Sequence, residues 1–319
     1  MNIKRLGLGC MGMNLKRNPE QSIRTVHAAL DSGINFLNTG NFYQCGESEM
    51  LLGKALKDIP REKYFISVKF GVLFSPDGKL YGLDVKPFNI KAQLTYSLHR
   101  LGLDYVDLYQ PARMDTSIPV EDIIGELAEL KKAGYIRNIG LTEIDAETLR
   151  RAHKVHPINT VELQYSLIER SIEKNIIPAA EELGINILAF GALGHGLLND
   201  RILTQGNSPT ASPMGGPMLN AENLPKNLPL VKDLKLIADE KRVLLSQLMT
   251  AWTLTKCPNI MCLIGTTSPE HLQQNIDALN IKLTPEDMTR IEDTAASYKI
   301  YGNEIRQLTF TNGIPFFKG

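Results

Sequence analysis

Cysteine is scarce in this chain and scattered. Its 319 residues hold four, Cys10, Cys45, Cys257 and Cys262, with no CxxC spacing and no metal-ligand cluster. That excludes a disulfide framework and a cysteine-built zinc site, and leaves free thiols of a reducing compartment. Neither sign of charge is in surplus: 35 Lys and Arg balance 35 Asp and Glu. A nucleic-acid partner or an anionic membrane surface would normally demand a basic excess. No apolar run approaches the length of a membrane span, and Met1 to Arg5 carries no apolar leader core. A cytoplasmic protein is the expectation. Phosphate-binding glycine motifs are missing too: no GxGxxG follows an early strand, and there is no Walker loop. No Ser-His-Asp or Cys-His arrangement presents itself, and no metal site is expected.

What is present is an alternation. Short apolar, β-rich runs cover 6–10, 34–39, 64–71, 105–112, 136–143, 160–166, 185–193 and 260–266. Their unbroken hydrophobicity fits parallel strands covered on both faces. Amphipathic helical patterns lie between them at 20–32, 120–133, 146–153, 172–183, 230–241 and 269–279. Gly33, Gly134 and Gly184 stop three of these helices just before the next strand. Eight β-then-α units without a composition break predict an α/β fold, a closed (β/α)8 TIM barrel spanning 1–319 as a single domain. An open doubly wound sheet is the alternative, weakened by the missing glycine fingerprint. The stretch 203–223 is rich in Gly, Pro, Ser and Asn. It reads as a surface loop or as a lid at the barrel mouth.

A (β/α)8 barrel presents its chemistry at the C-terminal ends of its strands. Those ends here carry Cys10, Asn38 followed by Tyr43, Lys69, Gln110 to Arg113, Thr142 with Glu143, Gln164 with Tyr165, Phe190 to Leu193, and Gly265 to Thr267. Tyr43 is a candidate proton donor, and an ammonium such as Lys69 beside it favours the phenolate. Several amides around one mouth suit polarisation of a carbonyl. Glu143 is nearly the only carboxylate at these ends, which speaks against paired-carboxylate glycoside chemistry.

The segments resemble an aldo-keto reductase along nearly the whole chain. The matching stretches are Leu6-Gly7-Leu8-Gly9-Cys10-Met11-Gly12, Asn38 through Gly53, Asp104 to Tyr109, Gly134 to Thr142, Glu162-Leu163-Gln164-Tyr165-Ser166-Leu167 with Arg170, and Leu263 to Ser268 with Leu272 and Asn275. The resemblance implies a barrel that binds a nicotinamide dinucleotide and passes a hydride to a small-molecule carbonyl compound. It implies Tyr43 as the proton donor and Lys69 as the group that activates it. Thr142, Glu143 and Gln164 would meet the carboxamide, and Phe190 would stack on the nicotinamide. Gly191, Ala192, Leu193 and His195 would line the pyrophosphate path. Gly265, Thr266, Thr267 and His271 would take the adenosine phosphates, with Gln274 and Asn275 at the adenine. NADPH is the expected cofactor, with NAD left open, because hydroxyls and one His stand where many members place a cation. A monomer or weak homo-oligomer is expected, with neither nucleic acid nor membrane as partner.

The sequence departs from the family at two catalytic positions. Asn38 stands where members carry an Asp that pairs with the Lys, and Ala112 where they carry a His. Asn38 can bond Lys69 but not neutralise it, so the expectation is a fully effective ammonium and a further depressed Tyr43. Losing the His removes an oxyanion donor. Arg113 is a candidate substitute, provided that the strand ends at Ala112. Together the two changes resemble the pyridoxal reductase branch. The alternative to an active reductase is a catalytically impaired, NADP(H)-binding sensor or interaction subunit on the same fold.

Overall fold

The computed structural model describes residues 3–205, 217–302 and 307–318. The strands are β1 (Leu6–Gly9), β2 (Phe36–Gly40), β3 (Phe65–Phe70), β4 (Val72–Phe74), β5 (Leu80–Leu83), β6 (Val106–Pro111), β7 (Ile136–Thr142), β8 (Thr160–Gln164), β9 (Asn186–Phe190), β10 (Ile260–Gly265), β11 (Gln307–Thr311) and β12 (Ile314–Lys318). The helices are α1 (Pro19–Asp31), α2 (Glu47–Leu56), α3 (Pro87–Leu101), α4 (Val120–Lys132), α5 (Ala146–Val155), α6 (Ile176–Leu183), α7 (Arg201–Gln205), α8 (Leu224–Glu240), α9 (Leu245–Lys256), α10 (Pro269–Asp277) and α11 (Pro285–Ala296). Eight strands close into a parallel barrel in the order β1-β10-β9-β8-β7-β6-β3-β2. Closure sets aside the open doubly wound sheet. All eight expected strands form, each trimmed by a residue or more at an end.

The chain forms this barrel because its strands are apolar on both faces and its helices on one. Leu37, Ile66, Val68, Ile139, Leu141, Val161 and Ile187 are fully buried, as are Val26, Ile123, Leu127 and Leu149 on the covering helices. Helices stop where expected: Gly134 and Gly184 take φ of 86° and 67°, a region that costs a residue with a Cβ but not glycine. No helix among the described residues is long and apolar enough to cross a membrane.

Two antiparallel hairpins, β4–β5 and β11–β12, are additions that the strand pattern did not predict. The second is fastened to the loop after β6. Asp115 accepts bonds from the backbone N–H of Asn312 at 3.1 Å and of Gly313 at 2.5 Å, and the Gly313 carbonyl accepts from Leu83 N–H at 2.9 Å. Of the stretch 203–223, residues 206–216 lie outside the described residues; before them α7 ends at Gln205, and after them α8 begins at Leu224.

Candidate active site

Parallel register fixes which residues share a level in the barrel. Lys69 on β3 sits level with Gly40 on β2 and Gln110 on β6, and Glu162 on β8 is level with Thr142 on β7. Gly140 leaves space inside the barrel: a Cβ there would press on Gln110 Oε1 and come within 2.6 Å of Thr160 Oγ1. The resulting polar layer is nearly sealed. Asn38, Lys69, Gln110, Thr142 and Glu162 are all buried.

Tyr43 reaches this layer from the turn after β2. Asn41 N–H donates to the Lys69 carbonyl at 2.8 Å, which ties the turn to β3. Gln44 and Cys45 then adopt left-handed φ of 45° and 55°, and Gly46 opens α2. Non-glycine residues held there store strain, which concentrates at functional sites. Phe42 packs edge-on against Tyr43, ring centroids 4.9 Å apart. The Lys69 ammonium lies 5.3 Å from the Tyr43 ring centroid, close enough for each charge to act on the other's titration.

The sequence alone suggested no counter-ion for Lys69, and the structure corrects that expectation. Lys69 Nζ donates to Asn38 Oδ1 and, at 2.8 Å, to Glu162 Oε1. Both partners of this ion pair are nearly sealed from solvent, at 5% and 4% exposure. Glu162 Oε2 accepts from Asn38 Nδ2 at 2.8 Å and from Gln110 Nε2 at 2.5 Å. The expected depression of Tyr43 is corrected with it. Burial pushes the phenol up, Lys69 pulls it down, and Glu162 pushes it up again; the net direction is upward. Burial would strip Lys69 of its proton, but Glu162 and Tyr43 outweigh that, and the ammonium is held above its ordinary range.

The expected cofactor residues form one continuous rim. Thr142, Gln164 and Phe190 end three neighbouring strands, with Gln164 and Phe190 in register. Glu143 follows with φ of 50° and accepts from Gln164 N–H at 2.6 Å; burial raises its carboxyl, partly offset by Arg113. Gly191 turns left-handed, Ala192 is buried, Leu193 is half-buried, and His195 packs beside Gly191 with its pKa lowered by burial. Gly265 ends β10 facing open space. Thr266 Oγ1 accepts from Ser268 N–H, the Thr267 carbonyl accepts from Gln21, and Ser268 caps α10. Further along α10, Asn275 is bonded back to the His271 carbonyl, and Gln274 is exposed.

Whether this rim suits a dinucleotide is tested by its unsatisfied groups. Thr142 Oγ1 and Ser166 Oγ are buried without a hydrogen-bond partner, and a buried orphan hydroxyl is costly unless something meets it. A carboxamide at the mouth would supply that partner. The positive end of the α10 dipole suits a phosphate. A cation also stands where the sequence offered none: Arg201, opening α7, is hydrogen-bonded to His271. Burial and Arg201 both lower the His271 pKa.

Two sequence expectations stay apart from this cluster. Ala112 is buried just past β6 and brings no donor. Arg113 donates back to the Ala112 carbonyl at 2.7 Å and faces Glu143 electrostatically, with no hydrogen bond to Tyr43. Glu162 is the residue that sequence reasoning missed. Its one signal was a carboxylate between the two apolar residues Val161 and Leu163 of β8. Among the described residues no group of His, Cys, Asp and Glu could hold a metal ion.

Comparisons with known proteins agree with the barrel. A family model described as the aldo/keto reductase family matches residues 5–296. A probable aldo-keto reductase 1 from Glycine max is 35% identical over 322 residues, covering 99% of this chain and 90% of that protein. The structure of a glycerol dehydrogenase from Gluconobacter oxydans superposes with a TM-score of 0.85 at 28% identity, covering 98% of this chain and 96% of that one. The holo form of an aldo-keto reductase from Bacillus halodurans gives 0.78 at 26% identity, with 95% of each chain covered. The finer resemblance to pyridoxal reductases gains no support from these relatives.

Proposed function

This chain belongs to the aldo/keto reductase family, and on that footing we propose that it reduces the carbonyl of a small aldehyde or ketone to an alcohol with NADPH. The observation that carries the reading is Tyr43 beside Lys69, the ammonium 5.3 Å from its ring centre, beneath a rim of unsatisfied hydroxyls. When bound, the reduced nicotinamide supplies a hydride to the carbonyl carbon. Thr142, Glu143 and Gln164 hold the carboxamide, and Phe190 covers the ring with an aromatic face. Tyr43 donates its hydroxyl proton to the carbonyl oxygen as charge develops there. Lys69 steadies the phenolate left behind, and Asn38 orients Lys69 through its amide oxygen. Tyr43 is half-buried, so its proton is restored from the mouth side.

Ala112 shapes the substrate. One oxyanion donor fewer costs about 10²–10³ in rate when nothing replaces it. A hydroxyl next to the substrate carbonyl supplies that donor and fills the space that Ala112 leaves. Hydroxylated carbonyls follow: glyceraldehyde, dihydroxyacetone and pyridoxal. Arg201 beside His271 favours the extra phosphate of NADPH. The sensor reading retains only Ala112 in its favour, since Glu162 restores the missing charge. Loss of NADPH absorbance with this panel tests the proposal. Folded protein that binds NADPH and turns over none of these carbonyls overturns it.

A further inference from the structure

A proton donor made of Tyr43 and Lys69, the proposed function on which the role of Glu162 rests, requires a buried lysine to stay charged beside an asparagine. Asn38 occupies β2, next to Lys69 on β3, and carries no charge. Among the described residues, the only carboxylate bonded to Lys69 comes from β8, across the barrel. Glu162 acts there purely as an acceptor: Oε1 from Lys69, Oε2 from Asn38 and from Gln110. Asn38 is thereby polarised, its oxygen toward the ammonium and its nitrogen toward the carboxylate.

We propose that Glu162 is a positioning residue for the proton donor: the carboxylate that balances Lys69 has been relocated from β2 to β8, with Asn38 as the bridge between them.

The geometry makes this relocation reversible. Place a carboxylate at position 38 and an amide at position 162. Lys69 still meets an oxygen at each. The 2.8 Å bond between the two side chains survives with donor and acceptor exchanged. Ser67 Oγ, 3.3 Å from the Asn38 amide, rotates from acceptor to donor. Gln110 alone would then face a donor with its own N–H2. Its Oε1, however, is buried and has no hydrogen-bond partner, so turning the amide over gives the new donor an acceptor and leaves Gln110 with one unpaired atom, as it has now. Nothing in this layer forbids moving the charge, which is what a relocated counter-ion requires.

Other charges bear on the same groups. Cys10 at the end of β1 faces Lys69 and Tyr43, with its thiol pushed up to about 12 by burial. Glu143 after β7 faces Glu162 and is itself faced by Arg113 and Glu169. None of them is hydrogen-bonded to Lys69.

The test compares Glu162→Gln with the double variant Asn38→Asp/Glu162→Gln, each as full-length protein with NADPH and glyceraldehyde. The readout is the pH profile of kcat. Without its counter-ion Lys69 loses its proton more readily, and Tyr43 ionises more readily beside an uncompensated ammonium. The alkaline limb of Glu162→Gln therefore moves to lower pH by about one unit or more, and kcat at neutral pH falls on the order of tenfold or more. The double variant returns the limb toward its original position and regains most of the lost rate. A structural role would lower stability and rate at every pH without moving the limb. If Glu162→Gln does not fold, recovery of folded, active protein in the double variant carries the same meaning. A limb unmoved in Glu162→Gln, or a double variant no better than the single, overturns the inference. Tyr43→Phe separates the two readings: turnover that survives it removes the reductase mechanism itself, whereas an inactive Tyr43→Phe with an unshifted Glu162→Gln removes only the role of Glu162.

Discussion

The Lys69 ammonium sits 5.3 Å from the centre of the Tyr43 ring, although Lys69 stands on β3 and Tyr43 on the turn after β2. A phenol placed this way is protonated and ready at neutral pH, because burial and the Glu162 carboxylate outweigh the pull of the ammonium.

Replacing Tyr43 with Phe removes one oxygen and keeps the ring against Phe42. Reductase turnover should fall by about 10²–10⁴, the usual worth of a positioned acid. NADPH binding, followed by fluorescence quenching, should stay within a few-fold of the parent. A Tyr43→Phe enzyme with parental turnover would show that another group delivers the proton.

The pH dependence of reduction follows from the same pair. Tyr43 and Lys69 both hold their protons above their ordinary values. The rate should stay level through neutral pH and decline only above about pH 10, where a free tyrosine already ionises. The sign for stability matches. Each group binds its proton more tightly folded than unfolded, so its contribution is complete below the unfolded pKa and is lost as pH rises through the folded one. A decline in kcat centred near pH 7 would contradict this.

Arg201→Met removes the cation beside His271. The lowered pKa of His271 leaves it neutral at pH 7, so Arg201 is the charge available there. A charge-assisted bond contributes about 1.5–3 kcal/mol. The Kd for NADPH should therefore rise roughly 10- to 100-fold while that for NADH hardly changes. Equal weakening of both would place Arg201 away from the ribose phosphate.

Asp115 grips the β11–β12 hairpin through the N–H groups of Asn312 and Gly313. Burial opposes its ionisation, but bonds from Ser117, Gly313 and Asn312 prevail and hold its carboxyl below the usual range. Asp115→Ala should free the hairpin, seen as faster proteolysis within 307–318 and raised hydrogen exchange there. The barrel should keep its thermal midpoint to within a few degrees. Unchanged protection of the hairpin would assign its anchoring to Thr116 instead.

Gly53 sits where α2 crosses α3. A Cβ would lie 2.7 Å from the Arg100 carbonyl oxygen and 3.0 Å from that of Leu101. Both are backbone atoms that cannot swing aside. Gly53→Ala should cost about 1–3 kcal/mol through overpacking, measured as a lower midpoint in chemical denaturation. A midpoint equal to the parent would mean that the two helices separate freely.

The additions to the barrel were harder to read than the barrel. The strand pairs Val72–Phe74 with Leu80–Leu83, and Gln307–Thr311 with Ile314–Lys318, are short. Val72–Phe74 merges in the sequence with the end of β3, and the partners of these strands are fixed by contacts such as that of Asp115. Asn38 was legible as a departure from the family, but its consequence was not. A missing charge can be seen in one residue, whereas its replacement cannot.

By itself the sequence determined the eight strands and six of the helices, since burial on both faces or on one writes a local period into the residues. It also determined that Tyr43 and Lys69 stand at strand ends. Only the tertiary structure decided what surrounds them. Glu162 is 124 residues from Asn38 and 93 from Lys69, and Arg201 is 70 from His271. Closing the barrel sets β8 across from β2 and β3, and that closure brings together charges whose spacing along the chain carries no trace of the meeting.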